Sequence, residues 1–540
     1  MVAIEDKSAP GTLQLIDTDG HFHVKHSQDE HDIVLVPLPS DDPEDPLNWS
    51  RRRKLIHTSC VMMYTIMMVF PSTAVYSVTT PIAKATHLTI DNLVSGTGAM
   101  FLFYGWGCIV WQAFALQYGK RPTYLISMLA SVIIMAVTPL CTTNGPYLAT
   151  KILQGFFGAP VETLCEISMT DIWFAHERPL YLAIYGFSLA FSGKFAPVFA
   201  AFINTGQGWR WTLWWCAIAI ALAFVYCLFL MEETNYDRHT PQSTTSNDET
   251  TSEFTIQNLA GEKGSESETP TPSTAPDSTV VYPRKTYRQK LSVIDQKRPN
   301  RILYLMWAPF KFFRFPVVVW AGFMYGTNAL VWTGILNATA SPIYTSAPYH
   351  FTSNEVGFAY FGGVVGMLVG SLWVTYAGPF LVLRLARRNK GVAEPEHILY
   401  LFIASLICVP FAMLLWGLGS TYKVHWFGLV FAQGVLTISS TLCLSTAIQY
   451  ATSSYRDLAG ELITTLILIR NTLSFAINYG ITPWIDAMGR KWTFVMAAIL
   501  GLLCNVTMFV MIRWGKELRK RSAETYWRWV DEARAKGLGH

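Results

Sequence analysis

Long apolar runs alternate along this chain with short polar ones. A run of about 20 apolar residues can cross a bilayer as a helix. Twelve such runs are predicted: 55–82, 93–116, 122–141, 145–171, 180–204 and 211–231, then 316–345, 356–377, 398–417, 424–449, 459–483 and 492–512. Several hold proline, namely Pro71, Pro160, Pro197, Pro342 and Pro410. In a membrane bundle such residues kink a helix without ending it. Between the sixth and seventh runs the pattern changes. Residues 239–290 include "HTPQSTTSNDETTSEF" and "GSESETPTPSTAPDST", where Ser, Thr, Pro and Glu dominate. Such a stretch has too little apolar surface to offset its ordering entropy. The expected fold is therefore all-α and membrane-embedded, with twelve transmembrane helices in two six-helix bundles. The divisions are an N-terminal segment 1–54, a first bundle 55–231, a largely disordered linker 232–315, a second bundle 316–512 and a tail 513–540.

Composition agrees with this pattern. Of 540 residues, 51 % are hydrophobic and only 14 % charged, where a soluble domain carries roughly a quarter. A net charge of +4 gives no reason to expect nucleic acid. With the N-terminus in the cytosol, that side holds "RRRK" at 51–54, Lys120 and Arg121, Arg178, the stretch Arg284 to Arg314, "RLARRNK" at 384–390, Arg456 and "KELRKR" at 516–521. The opposite side has only Lys84, Arg210, Lys423, Arg490 and Lys491. This asymmetry obeys the positive-inside rule and puts both termini in the cytosol. The polar N-terminus "MVAIEDKSAPGTLQ" is not a cleavable signal peptide. The nine cysteines lie in or beside apolar runs with no CxxC pair, so neither a metal site nor a disulfide framework is expected. No phosphate-binding loop, GxSxG or HExxH occurs, so neither an enzyme nor an ATP-driven pump is expected, and no cofactor.

Twelve spans in two halves around a long linker suggest a secondary transporter. The ionisable residues inside the spans then become candidates, because each costs about 2.5–3.5 kcal/mol on insertion scales. In "KILQGFFGAPVETLCEISMTDIW" a helical wheel places Glu162 about 20° and Glu166 about 60° from Lys151. All three are expected to point inward, whereas Asp171 falls off that face and reads as interfacial. One reading makes the two glutamates structural, with Lys194 in the fifth span as a possible ion-pair partner. The other has at least one line a central cavity, where low dielectric favours a protonated carboxylate until a cation arrives. Lys194 could neutralise Glu162 or bind an anionic group on the substrate. In the eleventh run Arg470 sits mid-span, and Asn471, Ser474 and Asn478 follow at near-helical spacing. Arg470 reads as the anchor of an interhelical network. Tyr325, Asn328 and Trp332 are expected to share one face of the seventh span, suited to a lipophilic cation or to ordinary packing.

Several phrases add a resemblance. "QYGKRPTYL", with Gly119, Lys120 and Arg121, resembles the turn signature of the major facilitator superfamily. "KILQGFFGAP", with Gln154 and Gly155, resembles its fourth-helix signature, with Lys151 in place of Arg. "DPLNWSRRRK", "TDIWFAHERP", "GWRWTLWW", "EETNYDR" and "ARRNKGVAEPEH" are similar to fungal members of the twelve-spanner drug:proton antiporter branch. Two departures stand out. The acid of the first signature is replaced by Leu116 and a glycine by Gln112, so the gate latch must differ. In the fifth span the antiporter glycines are replaced by Ala183, Ser192, Ala196 before Pro197, and Ala200–Ala201. The resemblance implies a proton-coupled transporter of a small molecule, cationic or lipophilic. It would work as a monomer in the plasma membrane, with the vacuolar membrane second. Efflux of drugs or toxic metabolites by proton antiport is the leading expectation. Uptake of a cationic nutrient such as a polyamine, or sensing without flux, are the alternatives.

Overall fold

The computed structural model describes residues 9–14, 42–174, 177–236, 300–389 and 392–535. Before the linker lie α1 (Arg51–Ala85), α2 (Ile90–Tyr118), α3 (Lys120–Val137), α4 (Asn144–Gly158), α5 (Pro160–Ile172), α6 (Arg178–Gln207) and α7 (Trp209–Leu230). After it come α8 (Ile302–Lys311), α9 (Pro316–Gly326), a π-turn (Thr327–Val331), α10 (Trp332–Thr345), α11 (Ser353–Ala359), α12 (Phe361–Arg388), α13 (Ile403–Thr421), α14 (Trp426–Ser454) and α15 (Ala459–Ala535). Two short strands, β1 (Leu13–Gln14) and β2 (Val392–Ala393), pair antiparallel with Leu13 opposite Ala393.

Local chemistry sets the ends of these helices. Ser50 caps α1 by accepting from the Arg53 amide, and Thr89 caps α2 by accepting from the Asn92 amide. Thr352 and Glu355 form a reciprocal capping box on α11. Between α2 and α3 the chain turns through Gly119 at φ 121°. A β-carbon there would sit 2.6 Å from Glu233 Oε2, so only glycine fits.

Nine helices among the described residues are long and apolar enough to cross a membrane, or ten if the pair Ile302–Arg314 and Pro316–Thr345, bent by 95°, counts as one span. Two expected spans do not show separately in that count. The fourth is divided, because Pro160 interrupts the hydrogen-bond ladder and α4 gives way to α5 at Ala159. The eleventh and twelfth share α15, which breaks at Gly489 (φ 74°, ψ 156°). Twelve spans therefore remains our proposal. Pro71, Pro197, Pro342 and Pro410 all lie inside continuous helices.

The helices turn apolar side chains both inward and outward. Leu222 and Ile407 are 68 % and 71 % exposed, and Leu129, Ile133, Leu372, Phe380 and Leu503 are also exposed. An apolar surface of this extent belongs against lipid. Within the bundle, α2 packs along α15, α1 against α10, and α6 against α11 and α12. These three seams join the two halves of the chain. Residues 302–314, assigned by sequence to the linker, form α8 and a turn, and the rest of the expected disordered stretch, 237–299, lies outside the described residues. The expected tail is helical through Ala535. It is held because Arg519 is buried between Glu394 and Glu396 at 2.8 and 2.7 Å.

Candidate functional site

Between the two halves lies a cavity of about 900 Å³. Its walls come from α1 (Ser72, Thr73, Tyr76), α5 (Glu162, Glu166), α6 (Ala190, Lys194), α10 (Thr333, Asn337), α14 (Ser440, Ser445, Gln449) and α15 (Arg470, Ser474, Asn478). It runs down to Arg178 and Leu180 at the start of α6 and to Thr452 near the end of α14. Those helix ends belong to the face that carries the basic loops, so the cavity opens towards the basic end. At the opposite end the halves are tied together. Thr80 Oγ1 and Ser341 Oγ lie 2.9 Å apart, Asn204 Nδ2 donates to Ser353 Oγ (3.0 Å), and Thr205 Oγ1 donates to Asn354 Oδ1 (2.8 Å).

The charged groups on the cavity wall differ in their partners. Arg470 Nη2 reaches Glu162 Oε1 at 2.6 Å, joining α15 to α5 across the halves. Its Nη1 donates to Tyr325 Oη at 2.5 Å, and Nη2 also donates to Asn471 Oδ1 at 3.3 Å. Glu166, one turn from Glu162, has no hydrogen bond or ion pair among the described residues, and the same holds for Lys194. Sequence offers Lys194 as one possible partner for Glu162. The partner is instead Arg470, whose side chain comes from the other half of the chain, a distance in sequence that no wheel of one helix can register.

Two further expectations are corrected. Lys151 does not share the face of the glutamates. It is fully buried away from the cavity, where Nζ donates to Gln154 Oε1 (2.9 Å) and lies 5.8 Å from the Tyr147 ring centre. The wheel drawn through all three residues treats as one straight helix what the structure divides into α4, ending at Gly158, and α5, starting at Pro160. Tyr325, Asn328 and Trp332 do not form a cavity face either. Tyr325 meets Arg470, Asn328 Oδ1 accepts from Asn505 Nδ2 (3.1 Å), and Trp332 is buried in an apolar cluster. The π-turn at 327–331 adds a residue to the turn and presents Ala329, Leu330 and Thr333 to the cavity instead. Asn471 packs behind the cavity, against Gly105.

The signature residues are structural grips. The Lys120 and Arg121 amides donate to Glu233 (both 3.0 Å), and Arg121 Nε and Nη2 donate to the Met231 and Leu228 carbonyls (both 2.8 Å). Lys120 Nζ pairs with Asp171, which sequence reading left merely interfacial. Gly155 lets α4 touch α2, since a β-carbon would fall 2.2 Å from the Met100 carbonyl oxygen. In α6, Ser192 Oγ donates to the Ile66 carbonyl (2.7 Å), and Pro197 is buried beside Ala196. Gln112, the departure in the first signature, bridges the halves at the basic end. Its Oε1 accepts from Thr464 Oγ1, and its Nε2 donates to the Gly460 carbonyl (3.4 Å).

Sequence reading missed the polar lining of α1, α10 and α14. A signal existed in α14, where Thr441, Ser445 and Gln449 recur every fourth residue within an apolar run.

A multi-pass helical bundle whose two halves enclose a polar cavity with buried charges has the architecture of a secondary transporter. A profile of the Major Facilitator Superfamily matches residues 59–478, and the chain belongs to that superfamily. It is a transporter and not an enzyme. An uncharacterized MFS-type transporter of Schizosaccharomyces pombe is 25 % identical over 97 % of this chain and 94 % of its own. Protein HOL1 of Saccharomyces cerevisiae is 23 % identical over 94 % of this chain and 95 % of its own. Among solved structures, the E. coli xylose transporter XylE in a partially occluded inward-open conformation shares the fold. Its TM-score is 0.54 and its identity 10 %, covering 84 % of this chain and 98 % of that one.

Proposed function

We propose that this transporter exports small organic cations in exchange for protons, and that Glu166 is the carboxylate for which proton and cation compete. The observation that carries this reading is the contrast between two glutamates one turn apart. Glu162 is neutralised by Arg470 at 2.6 Å, whereas Glu166 faces the same cavity with no ion-pair partner among the described residues. A carboxylate at bilayer depth without a cation is costly to keep charged. Taking up a proton removes that cost, and so does binding a cationic substrate. The two cannot occupy it together, which couples their movements in opposite directions. The hydroxyl and amide groups of α1, α10 and α14 give the cation's remaining surface polar contacts without fixing one shape.

The positive-inside pattern supports cytosolic termini, so the basic end into which the cavity opens is the cytosolic side. From there a substrate enters for export. We assign the protein to the plasma membrane and to a monomeric, six-plus-six arrangement.

The test is transport by purified protein in proteoliposomes, with labelled tetraphenylphosphonium and an imposed pH gradient. Wild type accumulates the cation against its gradient. Glu166→Gln folds and inserts normally but loses gradient-driven accumulation, by about tenfold or more. Unchanged pH dependence in that variant would overturn the assignment.

A further inference from the structure

Lys194 is the group that the cation reading does not use. It lines the same cavity as Glu166, yet it neither donates a hydrogen bond nor forms an ion pair among the described residues. Lys194 is half-buried on the cavity wall, and an ammonium held there for structural reasons is normally paired, because an uncompensated charge away from bulk water is expensive. Arg470, the other cation of the cavity wall at this depth, is paired with Glu162. Lys194 therefore stands as an isolated positive charge in a site that also holds an isolated negative one.

A second observation lies beside it. Gln433 on α14 is 2 % exposed, and both Oε1 and Nε2 of its side chain lack a hydrogen-bond partner. A fully buried amide with nothing to bind is rare in a finished core. Its neighbourhood is marked by Gly363 on α12. A β-carbon at that glycine would lie 3.5 Å from Lys194 Cδ, 3.5 Å from Thr437 Oγ1 and 3.8 Å from Gln433 Nε2. The lysine stem and the free amide thus border the same glycine, with Lys194 on the cavity wall and Gln433 directly behind it. Thr437 already donates its hydroxyl proton to the Gln433 carbonyl (2.9 Å), so the donors left for a ligand are the ammonium and the amide.

The geometry points to an anion subsite made by Lys194 and Gln433, and hence to an amphoteric substrate. Its amine meets Glu166, and a carboxylate elsewhere on the same molecule meets Lys194 Nζ and Gln433 Nε2. A carboxylate suits this pair of donors, since it is a monoanion with two oxygens in one plane. A substrate without a carboxylate would engage Glu166 alone and leave Lys194 without a counter-charge. The cavity volume of about 900 Å³ admits a drug-sized molecule that spans both groups. This inference rests on the cation reading of Glu166 given above.

The test uses two matched pairs of probes with full-length protein in nanodiscs, read by equilibrium binding. Lysine and cadaverine differ by a carboxylate, as do norfloxacin and its ethyl ester. In wild type at least one acid binds about tenfold more tightly than its carboxylate-free partner. Lys194→Gln and Gln433→Leu each erase that preference and leave the affinity of the carboxylate-free member within about twofold. Lys194→Arg keeps the preference. Melting temperatures confirm folding, and substitutions at two separate residues guard against one that does not fold. The proposal is overturned if neither acid binds, if the acids bind no better than their partners, or if Lys194→Gln weakens both members alike. Glu166→Gln separates the two ideas. If it weakens all probes while Lys194→Gln changes none, the cation reading stands and the anion subsite falls. If the acids keep their preference and affinity in Glu166→Gln, the cation reading falls and the subsite stands.

Discussion

Replacing Arg470 with Met tests whether the bridge to Glu162 holds the halves together. Met keeps much of the side-chain volume, so the change isolates charge from packing. At 2.6 Å, with the side chains 4 % and 11 % exposed, the gross attraction is about 6 kcal/mol at an effective dielectric constant of about 20. Desolvation of both ions offsets most of that gain. What matters for the variant is the partner left behind. Glu162 becomes an uncompensated buried carboxylate, and Tyr325 and Asn471 lose the guanidinium that donates to them. Removal of one member of a buried pair costs about 3–5 kcal/mol. For a chain of this size that lowers the melting temperature by about 5 °C. Glu162→Gln should cost less, because the glutamine oxygen still accepts from Arg470 and Tyr325 remains in place. The double variant should melt above Arg470→Met, with a coupling energy of about 2–3 kcal/mol. The assay is thermal unfolding of the four proteins in nanodiscs, alongside membrane expression. Wild-type melting of Arg470→Met, or a double variant whose loss equals the two single losses added together, would refute the reasoning.

Two further outcomes follow from the packing and the loops. Gly155→Ala places a β-carbon 2.2 Å from the Met100 carbonyl oxygen. It should cost about 1–3 kcal/mol and lower expression, while Gly145→Ala, with nothing within 4 Å, should behave as wild type; equal melting of the two variants would contradict the close α2–α4 contact. Glu394, in the loop after α12, is pushed up by burial, but hydrogen bonds from Lys516 and Arg519 outweigh this and hold its carboxyl below the ordinary 4.5. Its stabilising contribution is therefore complete above that value and is lost as pH falls through the lower folded value. Hydrogen exchange at residues 9–14, which Thr12 and Pro10 tie to Glu394 and Arg519, should accelerate beyond the intrinsic rate as pH falls below the ordinary 4.5 of a glutamate. Arg519→Ala should already show the faster exchange at neutral pH, and a flat profile in wild type would remove the assignment.

The fold was readable because span length and the placement of arginine and lysine are properties of contiguous sequence. The cavity was readable only in part. Glu162, Glu166, Lys194 and Arg470 declared themselves by being charged inside apolar runs, and all four line it. Their pairing was not readable, since Glu162 and Arg470 are 308 positions apart in the numbering. Lys151 declared itself in the same way and was misplaced, because a single wheel cannot describe the separate helices α4 and α5 on which it and the glutamates lie. The face of α9 and α10 was misplaced for a related reason. A π-turn inserts a residue without any apolar or polar signal, so Thr333 replaces Trp332 at the cavity. Gln112 shows the converse. As a departure from the family pattern it suggested only a loss, yet its amide makes a contact across the halves that a glycine could not make.

These contacts also bear on how the molecule changes state. A transporter of this fold alternates by rocking its halves about a fixed site. The cavity opens at the basic end, so the opposite end must part for a substrate to cross. There the side-chain ties between halves include Thr80–Ser341, Asn204–Ser353 and Thr205–Asn354. Each is a neutral hydrogen bond worth about 1 kcal/mol net. Three such bonds amount to the few kcal/mol that separate interconverting conformers. The Glu162–Arg470 pair lies deeper, at the cavity wall, and joins α5 to α15. Its loss would cost as much as those three ties together, so a transition that kept it intact would meet a much smaller barrier. The ion pair is thus better placed as the hinge of the movement than as its gate. On the proposed reading, that division leaves Glu166, one turn away and with no partner among the described residues, as the carboxylate that exchanges its proton without dismantling the contact between the halves.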